Sequence, residues 1–142
     1  MFLSQYKFSK FGEFILRAEN REFHYESNGA FDCLETPKVY CWISQQNSNN
    51  KKHEVLYVGK TKSSIKGRMG QHRQGFKKTK KGQKNAKTLF ALLSQGNVIE
   101  IWARDATCKP IEINGYVSEI EMNHYSIEEE FFIALLNPQL NS

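Results

Sequence analysis

The sequence predicts a small α/β protein of the α+β kind, with a three-stranded antiparallel sheet flanked by helices. Three observations predict it. Three short runs rich in β-branched and aromatic residues, "VYCWI" (39–43), "EVLYV" (54–58) and "NVIEIWAR" (97–104), read as strands. Apolar residues at helical spacing fill the stretch between the second and third runs and follow the third. The chain has 142 residues, 39% hydrophobic and 13% aromatic, which is enough for one compact core without staples.

Taken in order, residues 1–36 form an N-terminal extension in which "EFILRAENREF" suits helix or strand alike. The remaining 37–142 form the domain proper. Pro37 precedes the first strand. A polar link containing "QQNSNN" (45–50) joins it to the second, as in a hairpin with a longer loop. From Ser63 or Ser64, an available N-cap, Ile65, Met69, His72 and Phe76 recur at helical spacing, weakened by Gly67, Gly70 and Gly75. "KKTKKGQKNAK" (77–87) reads as a loop. Asn85 then caps a second helix, "AKTLFALLSQ", with Gly96 just beyond its end. After the third strand, Pro110 and Gly115 bound a loop, and a long helix is expected from about Tyr116 to Leu136, ending before Pro138.

Composition narrows the function. Cys33, Cys41 and Cys108 are odd in number and widely spaced, unlike a disulfide framework or a zinc site, so a reducing, cytoplasmic setting is expected. No apolar run approaches the length of a membrane span, and "MFLSQYKFSKF" lacks the apolar stretch of a signal peptide. The net charge of +5 is modest, but its distribution is not. Residues 60–87 hold eleven Lys or Arg and no acid, whereas 88–142 hold two bases and eight acids. A block so basic attracts polyanions, of which nucleic acid is the commonest, although a lone lysine run also serves as a solvated face.

Within that block Arg68 and His72 stand four apart, on one helical face beside the core positions Ile65 and Met69. An Arg there lines a cleft or snorkels to solvent. Three glutamates, Glu128, Glu129 and Glu130, run into an apolar helix end, and periodicity alone does not say which of them faces the core. Tyr40 and Tyr57 project on one sheet face if the first two strands form a hairpin, though strand tyrosines are also common packing residues.

In this order the elements resemble the GIY-YIG endonuclease family. Its two tripeptides correspond to Lys38-Val39-Tyr40 and Tyr57-Val58-Gly59. Its helix pattern matches Ile65, Arg68 and His72, and its late segment resembles "EEFFIALLNPQLN", which singles out Glu129. The likeness spans residues 38–141. Lys38 replaces the usual Gly, and Gly59 to Arg68 is one residue longer than the family spacing, with the extra residue expected in "KTKSS" ahead of the helix.

The resemblance implies a DNA endonuclease that hydrolyses phosphodiesters with one divalent cation, Mg²⁺ or Mn²⁺, held by Glu129. Arg68 would grip the phosphate, Tyr40 or His72 would act as general base, Tyr57 would position water or phosphate, and Lys60 would lower the Tyr40 pKa. Gly59 and Asn141 would support the site. Lys62, Lys66, Arg73, Lys77, Lys78, Lys80, Lys81, Lys84 and Lys87 would contact neighbouring phosphates. Specificity would come from residues 1–36, the 77–87 segment, a partner or a homodimer, since one site cuts one strand. The competing readings are a non-catalytic nucleic-acid-binding protein that keeps the fold, and a basic protein-interaction module.

Overall fold

The computed structural model describes residues 2–17, 22–46 and 53–141. The link expected as a loop at 45–50 lies outside the described residues from 47 onward. Five strands build one sheet: β1 (Ser9–Arg17), β2 (Glu22–Ser27), β3 (Lys38–Gln45), β4 (His53–Thr61) and β5 (Val98–Asp105), in the order β2-β1-β5-β3-β4. Every neighbouring pair is antiparallel.

The sheet therefore has five strands, not three. The two additional strands come from within residues 1–36, where local pattern left helix and strand undecided. The sequence of β1, SKFGEFILR, mixes strand formers with Glu, Leu and Arg. What selects the strand is pairing with β5, far along the chain. Gly12 permits the close approach of β2, because a Cβ there would lie 2.2 Å from the Glu26 carbonyl oxygen.

Helix α1 (Ile65–Lys78) starts where the serine signal placed it, since Ser64 Oγ accepts from the Gly67 amide. Helix α2 (Lys80–Ser94) begins earlier than expected. Thr79, not Asn85, is its cap, its hydroxyl accepting from the Gly82 amide, and Asn85 is buried in the helix interior. The lysine-rich 77–87 segment is accordingly helical, not a loop. Lysine has good helix propensity, and one well-placed cap suffices to extend the helix backward.

The expected helix from Tyr116 is also corrected. Residues 108–123 form two small two-stranded ribbons, Cys108–Lys109 with Met122–Asn123 and Glu112–Ile113 with Tyr116–Val117, turning at Asn114 and Gly115 with positive φ. Helix α3 spans only Tyr125–Leu136 and stops at Asn137 in the left-handed conformation. Val117 and the turn chemistry at Asn114-Gly115 override the apolar spacing there.

Two cores flank the sheet. One, holding Tyr40, Trp42, Ile99 and Ile101, is covered by Ile65 and Met69 of α1 and Leu89 of α2. The other, holding Val39, Cys41, Ile43 and Val58, is covered by Phe132 of α3. A register shift between Trp42 and Ile43 puts a bulge at Leu56, so Leu56 and Tyr57 both reach the α1 side. The three cysteines are free, and no helix among the described residues is long and apolar enough to cross a membrane.

Candidate active site

The interior strand β3, between β5 and β4, brings Tyr40 and Trp42 to one face, two residues apart. Tyr40 is fully buried and lies over its register partner Gly59. A Cβ at residue 59 would come within 2.4 Å of the Tyr40 ring, so only glycine admits this packing. Trp42 stacks on Tyr57 at 4.4 Å and meets the His72 ring edge-on at 4.7 Å. Trp42 was not among the site residues expected. The signal was its position two after Tyr40 in a strand, which fixes a shared face.

Helix α1 contributes from above the sheet. The Tyr40 hydroxyl lies 2.5 Å from His72 Nε2. Burial and the nearby Arg68 guanidinium lower the His72 pKa to about 3, so the imidazole in this bond is neutral, and its tautomer sets which partner donates. Arg68, one turn earlier, interacts electrostatically with Tyr40, Tyr57 and Glu129 together. Its Nη1 also donates to Gln71 Oε1 at 3.0 Å.

Charge states follow from this packing. Burial drives the Tyr40 phenol well above its ordinary pKa, Tyr57 adds to the rise and Arg68 opposes it. Tyr57 is also raised by burial, against Arg68 and a hydrogen bond with Tyr40. The sequence-based expectation that Lys60 depresses the Tyr40 phenol fails. Lys60 Nζ instead donates to Ser126 Oγ at 3.0 Å and stands 3.9 Å from Glu129 Oε1. Lys60 and Tyr40 are register-adjacent, not partners, and neighbouring strand residues point to opposite faces.

The three glutamates have three fates. Glu128 is taken by Arg104 at 2.9 Å and by the Thr107 amide and hydroxyl. Glu130 is exposed. Glu129, with 21% of its side chain exposed, turns toward Lys60, Tyr57 and Arg68. Its carboxyl is raised by burial, with Lys60 working against that shift and Glu130 reinforcing it. Helix α3 covers the opposite sheet face from α1, but β4 is the edge strand, so Glu129 reaches round that edge.

Asn141 finishes the edge. Its Oδ1 accepts from the Val58 amide and its Nδ2 donates to the Val58 carbonyl, both at 2.8 Å. The side chain thus replaces a missing neighbour strand next to Tyr57 and Gly59. Lys38, at the position of the family's Gly, is buried, with Nζ 3.1 Å from Asp105 Oδ1 and bonded to Thr36. Its charge is consumed locally.

Among the basic residues, Lys62, Lys66, Arg73, Lys77, Lys78, Lys80, Lys81, Lys84 and Lys87 are all exposed. Lys62 lies over the Tyr125 ring and Lys77 pairs with Glu22 at 3.5 Å. Among the described residues no three His, Cys, Asp or Glu side chains cluster as a ready-made metal cage. A cation here would rest on one carboxylate and borrow its other ligands.

Comparison with known proteins accords with this geometry. The GIY-YIG catalytic domain family model matches residues 37–137. A solved variant of bacteriophage T4 EndoII superposes with a TM-score of 0.66 at 20% identity, over 99% of this chain and 95% of that one. The restriction endonuclease HPY188I in complex with product DNA gives 0.49 at 15% identity, over 96% and 79%. No curated protein matches the sequence.

Proposed function

The chain belongs to the GIY-YIG nuclease family, and from that premise we propose that it is a metal-dependent endonuclease hydrolysing phosphodiester bonds in DNA. The observation that carries the proposal is the convergence of Tyr40, Tyr57, Arg68, His72 and Glu129 from β3, β4, α1 and α3, linked by the Tyr40–His72 bond and by the Arg68 charge that acts on each of the other four. The basic segment 60–87, which holds eleven Lys or Arg and no acid, suits a polyanionic substrate.

The donor set fits a hard divalent cation, Mg²⁺ or Mn²⁺. Glu129 is partly desolvated and its nearest cation, Lys60, stands at 3.9 Å, which leaves its oxygens free to coordinate. A lone carboxylate suits an ion that keeps several waters and takes phosphate oxygens as ligands. When bound, such an ion polarises the scissile phosphate and stabilises the leaving oxygen.

The protein's own residues do the rest. Arg68 lays its guanidinium fork on the phosphate as charge develops. Tyr40 remains a neutral phenol. It takes the proton of the attacking water on Oη while passing its own to His72 Nε2, so the two act as one relay. Phosphate binding offsets the Arg68 charge, which is one of the two causes that lower His72, and so makes the imidazole a better base. Tyr57 orients water or phosphate, and Lys60, held by Ser126 Oγ, faces Glu129.

Incubating plasmid DNA with the protein and Mg²⁺ or Mn²⁺ tests this. Metal-dependent cleavage that disappears in Glu129→Ala and Arg68→Ala is the expected result. DNA retention without cutting in either metal would leave a non-catalytic binder.

A further inference from the structure

Between the later turns of α1, the first turns of α2 and the start of β2 lies a pocket of about 480 Å³ that the proposed chemistry does not use. Phe23, Phe76 and Phe90, all half-buried, supply its apolar surface, and the exposed Arg73, Lys77 and Lys87 line it with positive charge. Phe23 and Phe76 pack on the core with part of their surface and turn the rest to the pocket beside Phe90, more apolar surface than a site for phosphates alone needs. Lys77 pairs with Glu22 at 3.5 Å, whereas Arg73 and Lys87 make no ion pair among the described residues. Aromatic platforms beside cations are how proteins hold unpaired bases together with their phosphates.

We propose, resting on the endonuclease reading above, that this pocket receives one nucleobase unstacked from the duplex near the scissile phosphate. Its placement supports this. Phe76 follows His72 by one turn of α1, their rings stacked at 6.1 Å, and Phe23 lies 5.3 Å beyond Phe76. At ~3.4 Å per nucleotide along a strand, the pocket is about two to four steps from the cut. The size is within the roughly 300–1,000 Å³ usual for small-ligand sites. Two acceptors also line it. Gln83, whose Nε2 donates to the Lys77 carbonyl at 3.1 Å, presents Oε1, and Glu22 lines the pocket with its carboxylate paired to Lys77 at 3.5 Å. Acceptors select bases with an exocyclic amino group, adenine, cytosine or guanine, over thymine.

The test uses a duplex spanning a mapped cut site, with 2-aminopurine at one position at a time, bound to Glu129→Ala protein so that it stays uncut. Fluorescence rises at one position about two to four nucleotides from the cut. The rise disappears when Phe90→Ala is added and persists with Phe90→Tyr, and Phe90→Ala weakens binding about tenfold, the loss of one base–aromatic stack. Unchanged fluorescence at every position, on a duplex that wild-type protein cuts, overturns the pocket and leaves the nuclease standing. Undiminished binding by Phe90→Ala overturns it equally. A set of duplexes that wild-type protein neither binds nor cuts overturns both readings.

Discussion

The Tyr40 hydroxyl and His72 Nε2 lie 2.5 Å apart, joined across the sheet–helix boundary by residues 32 positions apart in the chain. The imidazole in this bond is neutral. In the folded protein the His72 pKa is lowered to about 3, whereas an unfolded histidine titrates near 6.5. Below about pH 6.5 the unfolded chain takes up a proton that the folded chain refuses. Stability from this group is complete above that pH and is lost as pH falls toward 3, at up to ~1.4 kcal/mol per pH unit. Urea unfolding from pH 7 to pH 4 should show His72→Gln with a shallower loss than wild type. Parallel curves for the two proteins would mean that His72 is not held neutral.

Arg68 faces two phenols and a carboxylate at once, and a planar fork serves that arrangement better than a point charge. Arg68→Lys should leave the fold intact and lower the cleavage rate by about 10²- to 10³-fold, the usual loss for one transition-state donor. Single-turnover kinetics on a saturated duplex measures it. A rate within a factor of a few of wild type would remove Arg68 from the chemistry.

Gly59 lies under the Tyr40 ring with no room for a methyl group. Gly59→Ala should destabilise the protein by about 1–3 kcal/mol through overpacking, read as a lower denaturation midpoint. It should also slow cleavage beyond what the stability loss explains, because Tyr40 must move away from His72.

Asn141 contributes a hydrogen-bond pair to Val58 on the open edge of β4. Its replacement by Ala leaves a backbone amide and carbonyl without those partners, at a cost of about 1–3 kcal/mol. Amide exchange at Val58 should quicken more than at Val39 or Cys41, which lie on β3, inside the sheet. Uniform quickening would show that the tie is not local.

The exposed lysines of α2 sit on a rigid helix, so the phosphates they neutralise should contribute additively. Replacing Lys80, Lys81 and Lys84 by Gln should flatten the dependence of log binding constant on log salt by ~0.9 for each phosphate no longer neutralised. Relative affinity among duplex sequences should not change, since phosphates carry no sequence information.

Much of this protein was legible from local pattern. The strands containing Tyr40 and Tyr57, the helix start at Ser64 and the spacing of Arg68 and His72 rest on alternation, capping and helical periodicity, which act over a few residues. Motif likeness separated Glu129 from its two neighbours, and the fold supplies the reason. Glu128 is consumed by Arg104 and Thr107, and Glu130 points outward. By contrast, the strands at 9–17 and 22–27, the helical lysine segment and the shortened α3 were misread or undecided. Each depends on a partner remote in sequence or on one cap that competed with another.

The sequence by itself determined which chemical groups are present and which of them share a strand face or a helix face, because those periods are properties of the backbone. Only the tertiary structure decided where Lys60 points, that Trp42 buttresses Tyr57 and His72, and that burial keeps Tyr40 a neutral phenol. Those outcomes turn on desolvation and on contacts between elements, and neither exists until the sheet has closed under α1 and α3 has wrapped the β4 edge.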